Sequence, residues 1–174
     1  MSVVISGTGL FTPPESISND ELVVCFNSYV DKFNIENEQA IANGTVTALS
    51  HSSSAFIEKA SGIKSRYVMS KSDILNVDLM RPTFVERSND TLSMQAEIGV
   101  AAAKEAMVAA NKTAADIDLI IVACAYTQRS YPAMAIEIQQ ELGCGGWGFD
   151  MLVACSAATF GIINAANAIR SGTA

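Results

Sequence analysis

Gly145-Gly146-Trp147-Gly148-Phe149-Asp150-Met151-Leu152-Val153-Ala154-Cys155-Ser156-Ala157-Ala158-Thr159-Phe160 changes its rule of construction in the middle. Up to Ala154 the large apolar residues Trp147, Phe149, Met151 and Val153 fall on alternate positions, which is the period of a strand. From Cys155 to Arg170 the spacing becomes helical, and Gly172 supplies the stop. Ala157, Phe160, Ile162, Ile163, Ala166 and Ile169 put apolar groups on every face of that helix, so it is expected to be surrounded by protein. Cys155 therefore stands where a strand hands over to a buried helix. Unpaired backbone N–H groups and the helix dipole favour negative charge there. They would stabilise a thiolate, and would also stabilise the oxyanion formed as a thioester carbonyl is attacked. Small neighbours at 156–158 leave room for a ligand. This is the chemistry of an acyl-accepting nucleophile; the plainer alternative is a cysteine that is only a small buried hydrophobe.

Working outward, Asp118–Ala125 is an uninterrupted, β-branched apolar run that predicts a strand buried on both faces, as in a layered α/β sheet. Between the two strands, Pro132 and Gly143 punctuate a helix with Ala135, Ile138 and Leu142 on one stripe. Upstream, Asp90 is expected to cap a helix over 91–110, and 70–89 to form a loop excursion. Ser18 or Asn19 caps a helix within 18–43, 44–55 is a Ser/Thr/Gly-rich loop, and Ser54–Lys59 forms a short helix ended near Gly62. Val3–Gly7 predicts a short strand. The Gly7-Thr8-Gly9 after it lacks the third glycine of a dinucleotide fingerprint.

The composition narrows the function classes. With 49% hydrophobic and 17% charged residues the 174-residue chain is no disordered segment, and its length allows one domain with its own core. No apolar run approaches the ~18–20 residues of a membrane span, and no secretory leader is evident, so no membrane role is expected. The four cysteines show no close pairing, which favours a reducing cytoplasm over a disulfide scaffold. Cys25, Cys124 and Cys144 read as structural, and with His51 the only histidine no zinc pattern forms. Net charge is −7 and unevenly spread. Residues 1–58 are acidic, whereas 59–71 hold Lys59, Lys64, Arg66 and Lys71 without an acid. Nucleic acid is not an expected partner, since no broad basic face is present. The basic island fits a phosphorylated ligand, an acidic partner, or simply a solvated loop.

Phe149–Phe160 resembles the nucleophile segment of the β-ketoacyl-acyl carrier protein synthase III family, within the thiolase-like condensing enzymes. Ile5–Gly9 resembles that family's first strand, and Ser61-Gly62-Ile63-Lys64-Ser65-Arg66 its TGIxxR stretch. Leu119–Ala125, Tyr131-Pro132 and Ile138–Gly143 resemble its strand–loop–helix before the nucleophile, all in the family's order. The resemblance implies an α/β, thiolase-like layered fold, with a mixed sheet packed by helices, over one N-terminal domain spanning 1–174. It implies acylation of Cys155 by an acyl-CoA, then decarboxylating condensation with malonyl-acyl carrier protein in fatty acid synthesis, with no resident cofactor and no metal. Tyr131 would close the acyl pocket of the other subunit of a homodimer. Phe56 stands where members often stack the CoA adenine on tryptophan. Lys59 lies beside Ala60, which replaces a phosphate-contacting arginine, and Ala125 replaces a common threonine, leaving room for a primer longer than acetyl. Residues 31–52 and 70–89 look like insertions. The family's catalytic histidine and asparagine come from its second half, and His51 lies outside their context. The chain is therefore expected to be a truncated N-terminal portion that needs the C-terminal half and condenses nothing alone. The competing readings are another thiolase-superfamily condensing enzyme of specialised metabolism, and a non-catalytic α/β binding module.

Overall fold

The computed structural model describes residues 2–174, which divide into two compact units, Thr12–Val85 and residues 2–11 with Glu86–Ala174. In the first unit, β1 (Glu15–Ser18) leads directly into α1 (Asn19–Glu36). Ser18 and Glu21 form a capping box: the Ser18 hydroxyl accepts from the Glu21 N–H, and the Glu21 carboxylate accepts from the Ser18 N–H at 2.9 Å. The predicted 18–43 helix breaks at Asn37 into α1 and the short α2 (Glu38–Ala42). After a loop, α3 (Ser54–Ser61) is capped by Ser53 and stopped by Gly62, as its composition predicts. β2 (Ser65–Val68) then returns antiparallel to β1 with Ile17 opposite Arg66, and α4 (Lys71–Ile74) follows. The β1–β2 pair is absent from the sequence reading, because neither four-residue strand carries an alternation long enough to register.

The second unit is layered. α5 (Met94–Ala109) precedes β3 (Leu119–Cys124), α6 (Met134–Leu142), β4 (Trp147–Leu152) and α7 (Ala157–Ser171). β3 and β4 pair in parallel, Leu119 opposite Trp147 through Cys124 opposite Leu152, with α6 as the crossover. Successive strand residues face opposite ways. Ile120 and Val122 pack toward Ala96 and Val100 of α5 and Ile138 of α6, while Leu119, Ile121 and Ala123 face α7 across a cleft of about 600 Å³. Both strand senses are thus present, in two separate two-stranded sheets.

Four local expectations are corrected. Val3–Gly7 forms no strand: it has no ladder partner and lies against α5, where a Cβ on Gly9 would come within 2.5 Å of the Ala106 nitrogen. Leu10 N–H donates to Glu105 Oε2 at 2.8 Å, which holds this segment to the helix. α5 starts at Met94 with Ser93 as its cap, not Asp90, because Ser93 is fully buried and its N–H is bonded to the Glu137 carboxylate at 2.8 Å. β3 is half-buried along its length rather than sealed on both faces. α7 is likewise not surrounded, since Phe160, Ile162 and Ile163 are each about half exposed.

Candidate active site

The strand–helix junction is built by a tight turn. Val153 N–H extends the ladder by donating to the Cys124 carbonyl at 3.2 Å. Ala154 then adopts φ +46°, a left-handed conformation that costs a non-glycine residue about 1–2 kcal/mol. A single 3-10 turn over Ala154–Ser156 follows, closed by Ser156 N–H to the Val153 carbonyl at 3.0 Å, and α7 begins at Ala157. Cys155 sits at the apex of this turn and is exposed. It precedes the first helical residue by two positions, so the open N–H groups of α7 lie just beyond it rather than starting at it. Strain of this kind concentrates at working sites because the surrounding structure must hold it in place.

The other thiols are placed differently. Burial pushes the thiols of Cys25, Cys124 and Cys144 above the usual cysteine range, and at Cys124 the Asp150 carboxylate adds to the effect. Those three lie in α1, in β3 and in the glycine turn before β4, as the sequence predicts. His51 is an exposed residue bonded to Asp31 at 2.7 Å. Among the described residues no group of three metal-ligating side chains comes together. Among the described residues no helix is long and apolar enough to cross a membrane.

Because β3 and β4 run parallel, both C-terminal ends emerge at one edge, the usual ligand edge of such sheets. Ala125 follows β3 at that edge and is exposed, and Cys155 follows β4. Tyr131 ends the segment that leaves β3, just before α6, with 89% of its surface exposed. Three of the expected residues therefore belong to one unit. Phe56 and Lys59 belong to the other, three positions apart on α3 and so on one helix face. Phe56 is 65% exposed. Of the basic island, Lys64 pairs with Glu58 at 3.3 Å and Lys71 with Glu21 at 2.6 Å. Arg66 donates to Asn19 Oδ1 at 2.7 Å, and Asn19 in turn donates to the Ile63 carbonyl. Arg66 thus ties the start of α1 to the Gly62–Lys64 turn, and among the described residues Lys59 makes no ion pair.

Sequence reasoning passed over the groups that hold the 125–133 segment. Asp150, the one charged residue of β4, accepts from Met134 N–H at 2.8 Å and Ala135 N–H at 2.9 Å. Gln95 donates to the Tyr126 carbonyl at 3.0 Å and accepts from Gln128 N–H. Arg129 lies 3.4 Å from the buried Glu137 carboxylate and donates to the Ser88 carbonyl at 2.9 Å. A carboxylate inside the apolar run Phe149–Val153 was the available signal, since it needs a partner wherever it is covered.

No family model matches the chain. Over 149 residues it is 56% identical to the β-ketodecanoyl-acyl carrier protein synthase of Pseudomonas aeruginosa, covering 86% of this chain and 43% of that protein. Over 172 residues it is 30% identical to a β-ketoacyl-acyl carrier protein synthase III of Bartonella tribocorum, covering 98% of this chain and 40% of that one. Among solved structures, the 3-oxoacyl-acyl carrier protein synthase III of Aquifex aeolicus superposes with a TM-score of 0.65 at 25% identity, over 97% of this chain and 41% of that chain. The priming β-ketosynthase of the R1128 polyketide pathway shares the fold, with a TM-score of 0.66 at 24% identity, over 98% of this chain and 38% of that chain. The chain spans about two fifths of the length of the curated relatives it matches. Its collinear motifs, its α/β layers around a strand-to-helix cysteine and these likenesses agree, and over its 174 residues the chain belongs to the thiolase-like β-ketoacyl-acyl carrier protein synthase III family.

Proposed function

We propose that this chain is the nucleophile-bearing N-terminal portion of a decarboxylating β-ketoacyl synthase that starts or extends acyl chains in fatty acid synthesis. The observation that carries the reading is the exposed Cys155 on its strained turn, in a chain 56% identical over 149 residues to a β-ketodecanoyl-acyl carrier protein synthase. The Cys155 thiolate attacks the thioester carbonyl of an acyl-CoA. The C–S bond to CoA breaks, CoA leaves as its thiol, and the acyl group rests on Sγ. Malonyl-acyl carrier protein then loses CO₂, its α-carbon attacks the acyl carbonyl, and the Cys155 thiolate is released as the new C–C bond forms. No resident cofactor or metal takes part.

Ala125, exposed at the strand edge, gives the acyl chain room, and Tyr131 closes the pocket of a second copy in a homodimer. Phe56 stacks the CoA adenine, and Lys59, without an ion pair among the described residues, faces the CoA phosphates; Lys64 and Arg66 are already engaged and serve the fold. The 174 residues act as one domain, with insertions at 31–52 and 70–89. They work in the cytoplasm together with a C-terminal half that brings a histidine and an asparagine, and without that half they condense nothing. A product of ten carbons, as the Pseudomonas relative's name states, corresponds to an eight-carbon primer plus the two carbons of malonate. The primer here is accordingly longer than acetyl. The test continues this chain with the remaining residues of the Pseudomonas relative and supplies malonyl-acyl carrier protein with acyl-CoAs of graded length. Octanoyl-CoA is expected to give the 3-oxo ten-carbon product ahead of acetyl-CoA. Comparable turnover of acetyl-CoA with refusal of octanoyl-CoA contradicts the long-primer assignment.

A further inference from the structure

We propose that Asp150 is a positioning residue that sets primer length by fixing the Ala125–Tyr131 segment against the strand that delivers Cys155. The proposal rests on the acyl-transfer reading above. It starts from a helix without a cap of its own. Ala133 precedes α6 and has no side chain to accept from the first turn, and Met134 and Ala135 have no exposed surface, so water does not satisfy their N–H groups. Asp150 does this from the neighbouring strand, one carboxylate oxygen to each N–H. A negative charge at a helix start is also favoured by the dipole. The bond pair joins two points that matter for the chemistry. Asp150 lies five residues before Cys155 on β4, and Met134 lies three residues after Tyr131.

Tyr131 itself is almost wholly exposed, so packing of its own ring does not place it. Its place is set by the backbone anchors on either side: Asp150 behind it, and the reciprocal Gln95–Gln128 bonds ahead of it, by which Gln95 of α5 also holds the Tyr126 carbonyl. Ala125 and Tyr131 stand at the two ends of that strapped segment. Loosening one strap shifts Ala125 beside this chain's own acyl group and Tyr131 at the pocket of the second copy, so both pockets of the homodimer change while Cys155 and its turn stay intact. A displacement of about 1 Å costs up to about a hundredfold in rate when it moves groups that position substrate.

The experiment uses the chain continued by the remaining residues of its Pseudomonas relative. Acylation of Cys155 by octanoyl-CoA and acetyl-CoA is compared in wild type, Asp150→Asn and Gln95→Ala. In Asp150→Asn the side chain keeps its size and one acceptor but turns an N–H₂ donor toward the second helix N–H. The octanoyl-to-acetyl ratio of kcat/KM is expected to fall about tenfold in Asp150→Asn and in the same direction in Gln95→Ala, through KM for octanoyl-CoA more than through kcat. Asp150→Asn is also expected to speed hydrogen exchange at the Met134 and Ala135 amides. An unchanged ratio in both variants, with wild-type acylation intact, overturns this proposal alone and leaves Asp150 a structural cap. A wild type that takes up no acyl group overturns the acyl-transfer reading and the proposal with it.

Discussion

Gly146→Ala should unseat the start of the β3–β4 pair, and the size of the effect follows from geometry. Gly146 has φ +69°, which costs alanine about 1–2 kcal/mol. An added Cβ would overlap the Asp118 carbonyl oxygen and stand 2.5 Å from its carbon and 2.8 Å from its Cα. Those are backbone atoms of the residue leading into β3, so no side-chain rotation relieves the clash. Relief requires moving the chain, at about 1–3 kcal/mol, and gives up the Trp147 N–H to Asp118 carbonyl bond of 3.1 Å, worth about 1 kcal/mol. The expected loss is about 3–6 kcal/mol. Trp147 is the only tryptophan, stacks on Phe149 at 5.7 Å and donates its indole N–H to the Thr173 carbonyl at 3.0 Å. Its emission during urea unfolding therefore reads this part of the molecule directly. With m near ~2 kcal/mol/M the midpoint should fall by about 2 M. Gly145→Ala, with open space around the site, should change stability by no more than about 0.5 kcal/mol. A loss under about 1 kcal/mol in Gly146→Ala at unchanged m would refute the reasoning.

Gly99→Ala places a methyl 2.5 Å from Ile138 Cδ1, while Ile138→Val removes that atom and leaves Cγ1 at 3.4 Å. The two should couple by about 1–3 kcal/mol in a double-mutant cycle, the pair being more stable than the sum of the single changes; additivity within about 0.5 kcal/mol contradicts the packing. The Glu21 carboxyl is held down to about 2, from an ordinary 4.5, chiefly by the Lys71 ammonium and then by the Ser18 N–H and hydroxyl. A depressed carboxylate stabilises the fold above its unfolded value and loses that stabilisation as pH falls toward 2. Glu21→Gln should flatten part of the acid limb of a stability–pH profile read by far-UV circular dichroism, and an unchanged limb would count against the Ser18–Glu21–Lys71 cap. Iodoacetamide at neutral pH should label Cys155 first by peptide mapping, because Cys25, Cys124 and Cys144 have raised thiol pKa values through burial; prior labelling of any of those three is the contrary result.

The parts of the fold that could be read from sequence are those whose signal is local. Gly143 ends α6 in a left-handed conformation, the run over 119–124 is a strand, and Cys155 stands between a strand and a helix, because each depends on residue type and short-range period. The start of α5 at Ser93 depends instead on a carboxylate 44 residues away. The Val3–Gly7 segment has the composition of a strand, but a strand also needs a neighbour, and here Gly7 and the following Gly9 are used for close approach to α5. At the site, residue chemistry marked Cys155, whereas the anchors Asp150 and Gln95 show only in three dimensions, since their partners are backbone groups 15–33 residues away. The strain at Ala154 has no sequence signature at all, because alanine gives no hint of a left-handed conformation.

The central claim is that Cys155 carries the acyl group. It is tested most directly by incubating the chain, continued by the remaining residues of its Pseudomonas relative, with octanoyl-CoA and mapping the adduct by peptide mass, with Cys155→Ser in parallel. The account predicts one octanoyl group on the peptide containing Cys155, absent from the serine variant while that variant stays folded. An unmodified Cys155 across all primer lengths, or an adduct that persists in Cys155→Ser, would contradict it.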